Sequence, residues 1–332
     1  MKTNNDLFTF FLSRSMFLGG GISLMYLSSN KDNYISCILG LLLGIIIIYI
    51  YTKLINNNAN IKNNILFKIF FFPYLVFIIF ILLIILSTFI YSYFLPFTPA
   101  LFSCLPFIFL ATYLNSKSAK NIYYLATIFF FLSIFTIFIK TALLAQNFNY
   151  KNILPIMSNP TSSIFYSSII FAILSTAPLF LNINKDITFK KTLKYYLISS
   201  LSIFLIIITI TFVLGDSVGI YSYPEYAILR KIKFFKFIEN IENFISISWF
   251  LDIFITLSLT SLNIKELFNT QNRLVPFLIT FIILYLINKC VSNNFFASMV
   301  IYKTYVFILG ILFLLLLIIC ALNKLKNNAT NK

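Results

Sequence analysis

The sequence predicts an all-α integral membrane protein of about ten transmembrane helices, arranged as a LeuT/APC-like 5+5 inverted repeat. Apolar segments recur along the 332 residues with only short polar breaks, 60% of the residues are hydrophobic, and only 10% are charged. A soluble domain of this size cannot bury that much apolar surface, so lipid must be part of the solvent. A membrane barrel would alternate in polarity over roughly ten-residue segments. Runs such as Gly40–Ile50 and Phe307–Ile319 lack that alternation. The repeat is predicted from paired interruptions in the first and sixth segments, described below.

The segments lie at about 7–27, 34–55, 65–95, 99–114, 121–140, 162–183, 195–215, 244–262, 274–290 and 299–322. Most reach or approach the roughly 20 residues that a helix needs to cross the hydrocarbon core. They form a single transmembrane domain, with repeat 1 at about 7–140 and repeat 2 at about 162–322. Segment 1 carries Arg14 and no small-residue cleavage site, so it reads as a retained helix rather than a signal peptide. It is interrupted near its middle by Gly19, Gly20 and Gly21, three helix-weakening residues. Segments 2, 3 and 4 are apolar runs, and the Asn-rich stretch Asn56–Asn64 between segments 2 and 3 reads as a plain cytoplasmic loop. Segment 5 ends at Lys140, which could be an intramembrane cation, although its long side chain is expected to snorkel to the outer interface.

Segment 6 carries Ser175-Thr176-Ala177-Pro178 at a depth comparable to the glycines of segment 1. Proline removes a backbone donor and breaks the turn. Paired interruptions in corresponding segments of two halves point to an inverted-repeat transporter fold, in which freed backbone groups hold a small zwitterion and helix N-termini face its carboxylate. The plainer reading is a glycine kink and a proline kink. Ser168, Ala172 and Ser175 share a helical spacing, with Thr176 beside them; such small hydroxyl residues also favour close helix packing.

Segment 8 holds the clearest intramembrane carboxylate, Asp252. A charge there is costly unless it faces a bundle interior or a water path. Ser248, Asp252 and Thr256 are spaced i, i+4, i+8 and stack on one helix face, a stripe able to accept an ammonium, a proton or a sodium ion. The structural alternative is an Asp held by neighbouring hydroxyls. Trp249, the single tryptophan, is expected to anchor at the interface. The candidate ligand-binding residues are thus Gly19, Gly20, Gly21, Ser168, Ser175, Thr176, Ser248, Asp252 and Thr256.

Two connections are longer than the rest, Thr141–Thr161 and Asp216–Asn243. The second places Arg230, Lys231, Lys233 and Lys236 beside Phe234, Phe235 and Phe237, the pattern of a short amphipathic interfacial helix, with Glu239 and Glu242 able to pair with its charges.

Lys and Arg outnumber Asp and Glu by 25 to 9. The excess sits in short loops, which points to anionic lipid headgroups rather than nucleic acid. Placing both termini in the cytoplasm puts 16 of the 25 basic residues there, Arg14 counted among them, with an even number of spans. The chain has no histidine, which excludes Ser-His and Cys-His catalysis and most zinc enzymes. The four cysteines show no CxxC pairing, so neither a disulfide, a metal site nor a cofactor is expected. Phe (41) and Tyr (20) are residues that an A/T-rich genome supplies, so aromatic stripes are given no weight as binding boxes.

Several stretches together resemble the B-subunit family of spore germinant receptors, the GerAB-like spore germination permeases. They are Leu214-Gly215-Asp216, Tyr223-Pro224-Glu225, Phe237-Ile238-Glu239-Asn240-Ile241-Glu242 with Trp249, and Asn152-Ile153-Leu154-Pro155-Ile156. The resemblance implies a ten-helix fold of the amino acid–polyamine–organocation (APC) transporter superfamily. It also implies binding of a small nutrient such as an amino acid, action with A and C partner subunits in the spore inner membrane, and a role in triggering germination. A secondary amino-acid transporter of the same superfamily is the alternative. The chain departs from the family pattern at Asn240, where an Arg is usual, and after the segment 1 glycines, where Ser23-Leu24-Met25-Tyr26 replaces a common proline.

Overall fold

The structure, a computed structural model, describes residues 5–56, 61–114, 119–183, 187–232, 241–270, 272–290 and 295–330. Twelve α-helices follow in order: α1 Phe8–Leu12, α2 Ile22–Ser29, α3 Asn33–Ile55, α4 Ile65–Tyr93, α5 Ala100–Leu114, α6 Ala119–Leu144, α7 Thr161–Thr176, α8 Phe189–Leu214, α9 Pro224–Leu229, α10 Ile241–Leu267, α11 Leu274–Cys290 and α12 Phe295–Thr330. No strand occurs among the described residues. Among the described residues, seven stretches are long and apolar enough to cross a membrane, so this is a helical integral membrane protein. Phe8–Ile55 counts as one of the seven although Asn30, at φ 43° and ψ −132°, interrupts it between α2 and α3. Two segments expected to span, α5 and α11, are shorter at 15 and 17 residues.

The first segment is two helices. The chain leaves α1 at Ser13, turns through Ser13–Met16, and re-enters helix only after Leu18 (φ −77°, ψ 129°) and Gly19 (φ 84°, ψ 5°). The left-handed conformation at Gly19 costs an L side chain about 1–2 kcal/mol. A Cβ there would also sit 2.9 Å from Ile85 Cγ2. In the sixth segment α7 stops at Thr176 and the chain tightens into a 3-10 turn over Ala177–Asn182, with Pro178 near its start. Both interruptions expected from sequence are therefore present.

Breaking a helix frees carbonyls that lipid cannot satisfy. Here side chains from other helices take them up. Tyr302 of α12 donates to Met16 O at 2.7 Å. Tyr74 of α4 donates to Ala177 O, Tyr51 of α3 to Leu179 O at 2.8 Å, and Asn263 of α10 to Leu181 O at 2.8 Å. The tyrosines therefore do more than fill lipid-facing space, as the composition alone suggested.

Around these breaks the helices form a centre and a rim. In the most apolar 18 residues of each stretch, 78% are buried within Thr161–Asn182 and 72% within Ser246–Leu267, against 28% within Lys120–Asn147, so α7 and α10 are central and α6 peripheral. Both halves of the first segment are buried almost throughout. The pair α3 and α7 packs closely because Gly40 faces α7; a Cβ there would fall 2.6 Å from Phe171 Cβ.

The two long connections are tied to the α2–α3 corner. Asp32 is fully buried, and its carboxylate accepts hydrogen bonds from Met157 N, Ser158 Oγ, Asn159 N and Asn159 Nδ2 at 2.8–3.1 Å. Lys31 donates to Leu154 O at 3.1 Å and pairs with Asp216 at 2.9 Å. Asn152 donates to Phe212 O at 2.7 Å. In the loop before α4, Asn64 caps the helix by accepting from Leu66 N, and Lys62 pairs with Glu266 at 2.7 Å, so this stretch is not the plain loop expected. The basic-aromatic stretch expected to lie at the interface falls largely outside the described residues, as do Glu239 and Asn240.

Candidate functional site

The turn Ser13–Met16 aims a cation at α10. Arg14 is completely buried and its Nη2 lies 3.1 Å from Oδ2 of Asp252, itself 1% exposed. The guanidinium also sits 4.8 Å from the centre of the Phe10 ring, a cation–π arrangement. Arg14 therefore does not belong in a count of cytoplasmic loop charges. It can enter the core because the chain there is not helical, so its backbone and side chain both turn toward α10. Asp252 is accordingly not held by hydroxyls, as the structural alternative supposed. Its stripe partner Thr256 bonds instead to the Asp252 carbonyl at 3.0 Å.

Two more charges join the pair. Lys140 of α6 is buried and within electrostatic reach of Arg14, Asp252 and Glu225, so it does not snorkel outward. Glu225, the first residue after Pro224 in α9, is 1% exposed, and its Oε1 accepts the Gly19 N–H at 2.9 Å. Two bases and two acids thus share one core. Several of their polar atoms stay unpaired among the described residues: Nε and Nη1 of Arg14, Oδ1 of Asp252 and Oε2 of Glu225.

The remaining sequence candidates diverge. Gly20 lies against Ile85 and Tyr302, and Gly21 against Met16 O and Leu174, so the three glycines seat the break against its neighbours. Ser248 is buried on α10, one turn before Asp252. Ser175 bonds to Ala172 O at 3.2 Å and to the Tyr196 hydroxyl of α8 at 3.2 Å. Thr176 bonds to Ala172 O at 2.6 Å and lines an apolar cavity of about 360 Å³ between α3, α7 and α12. Ser168 sits where α7 crosses α3: its hydroxyl donates to Phe165 O at 2.6 Å and its carbonyl faces Gly40. Trp249 is 2% exposed, with its ring 5.2 Å from that of Phe89, so it is a core residue and not an interfacial anchor.

Sequence reasoning left three of the four charges out of the candidate site, Lys140 because snorkelling was preferred to a place inside the membrane. Arg14 and Glu225 were in view, one as a loop cation and the other as part of a motif, yet neither local sequence reveals a partner more than 200 residues away. The usable signal was scarcity: the chain has only 9 acidic residues, and one of them, Glu225, directly follows a proline in an apolar stretch.

A helical bundle with two broken central helices and four ionisable residues buried in its core is a permease-like membrane protein. The chain belongs to the spore germination protein family of spore permeases, whose sequence model matches residues 5–296. That family is of the permease and receptor type. No curated protein matches the chain.

Proposed function

We propose that this chain is the B-type, ligand-binding subunit of a spore germinant receptor. In this reading it has ten crossing helices in two inverted five-helix repeats, about 7–140 and 162–322, of the amino acid–polyamine–organocation type, with both termini cytoplasmic. It sits in the spore inner membrane with A and C subunits, binds a small nutrient, and passes that event on as germination.

One observation carries the ligand class. The core presents unpaired donors on Arg14 and unpaired acceptors on Asp252 and Glu225, all buried. Buried polar atoms left unpaired are costly, and a partner that satisfies them gains what the protein has forgone. A small zwitterion matches both signs at once: its carboxylate suits the donors of Arg14 and of the break at Gly19, and its ammonium suits Asp252 Oδ1. A free amino acid is the simplest such molecule. Gly19, Ser248 and Thr256 adjoin these charges, Gly20, Gly21, Ser175 and Thr176 seat the two helix breaks, and Ser168 serves packing.

Secondary amino-acid transport is the second reading. It is favoured by the ionisable cluster of Arg14, Lys140, Asp252 and Glu225, since intramembrane charges commonly mark ion pathways. Purified protein in liposomes, given a labelled amino-acid mixture with and without an inward proton gradient, separates the two. Saturable binding without accumulation is expected for the receptor subunit. Gradient-driven accumulation moves the chain to the transporter reading, and absence of both binding and uptake across all amino acids removes the zwitterion site.

A further inference from the structure

The Glu225 carboxylate takes a place that a ligand carboxylate would otherwise claim. Gly19 is the residue at which the first segment is most distorted, with φ 84°, and its N–H points into the core and not along a helix. A carboxylate brought up by the chain itself accepts that N–H at 2.9 Å. Glu225 is borne on α9, a helix of six residues between α8 and α10, all of them buried. Burying a carboxylate with one oxygen unpaired is expensive, and a surface position for Glu225 would avoid that expense. The connection above it is closed imperfectly: a cavity of about 20 Å³, room for roughly one water, lies between Ser23 and Tyr26 of α2 and the stretch Val218–Ser222.

We propose that Glu225 is an internal ligand. Its carboxylate fills the anion position at the break of the first segment and thereby latches the 215–229 connection over the core. A carboxylate from outside binds at Gly19 by exchanging with Glu225, and the exchange releases the connection. The ligand event is thus converted into movement of an external segment, which a partner subunit can read. This inference rests on the ligand site proposed above, and concerns which residue guards it.

The test uses formate as the probe and the full chain in nanodiscs. Glu225→Ala empties the position while leaving Arg14, Asp252 and Lys140 in place. Formate should raise the melting temperature of E225A by a few degrees, saturably and beyond what chloride achieves at equal ionic strength. Wild type should not respond, because its own carboxylate competes at far higher effective concentration. Hydrogen exchange then separates the latch from the anion position. In E225A, amides of both 17–21 and 215–229 should exchange faster than in wild type. Formate should restore protection to 17–21 alone, since a free anion cannot tether the connection.

No formate effect beyond chloride, or a 215–229 segment as protected in E225A as in wild type, overturns the proposal. Should E225A fail to fold, Glu225→Leu serves. It keeps much of the side-chain volume but has no acceptor for the Gly19 N–H, so 215–229 should exchange faster than in wild type, and unchanged exchange overturns the latch. Formate rescue needs no nutrient, so it succeeds or fails independently of the amino-acid binding assay.

Discussion

At the scale of single residues the Arg14–Asp252 pair dominates. Removing one partner of a buried ion pair leaves an uncompensated charge and typically costs about 3–5 kcal/mol, whereas removing both together costs much less. Arg14→Gln and Asp252→Asn should each lower the melting temperature of the purified protein markedly, and the double variant should recover most of the loss. Additive losses would mean that the 3.1 Å contact carries no coupling. Legibility at this scale was uneven. Gly19 to Gly21 announced themselves because three glycines in an apolar run have no other business there. Asp252 stood out because a carboxylate among apolar residues needs a partner. Which cation meets it was beyond the sequence, since 238 positions separate the two and only the broken turn brings Arg14 inward.

Helix breaks are the features that matter at the scale of elements, and what fills their missing hydrogen bonds is a set of hydroxyls and one amide. Tyr302→Phe removes the donor to Met16 O and keeps the ring, so it should cost about 1–3 kcal/mol by leaving a buried carbonyl unpaired. The same substitution at Tyr305, half-buried on the same helix and stacked on Phe80, should cost far less. Thermal unfolding of the two variants side by side checks this, and equal losses would show that ring packing, not the hydrogen bond, secures the break. The breaks themselves were readable from glycine and proline. Their caps were not, because a tyrosine supplied by genome bias and a tyrosine donating to a freed carbonyl look alike until α4, α3 and α12 are placed around α7 and the first segment.

For the whole molecule, the run of apolar segments announced helices and membrane, and the described helices fall where those segments lie. What the sequence did not carry was the tying of the long connections. Asp32 gathers four hydrogen bonds from the 157–159 stretch, far across the chain. Asp32→Ala should free that stretch and make it the first site of limited proteolysis, with the transmembrane core still folded; an unchanged cleavage pattern would show that the tie is dispensable. Ties such as this one and the Lys31–Asp216 ion pair depend on folding back of connections whose residue types read simply as polar loop.

The four core charges, two basic and two acidic, sum to zero when all are ionised. An electric field across the membrane does about 2.3 kcal/mol of work on each elementary charge moved through 100 mV, so an outgoing Glu225 carboxylate and an incoming ligand carboxylate that cross the same depth offset each other. A zwitterion adds no net charge to the site. Recognition at this site should therefore proceed equally well in a polarised and a depolarised membrane.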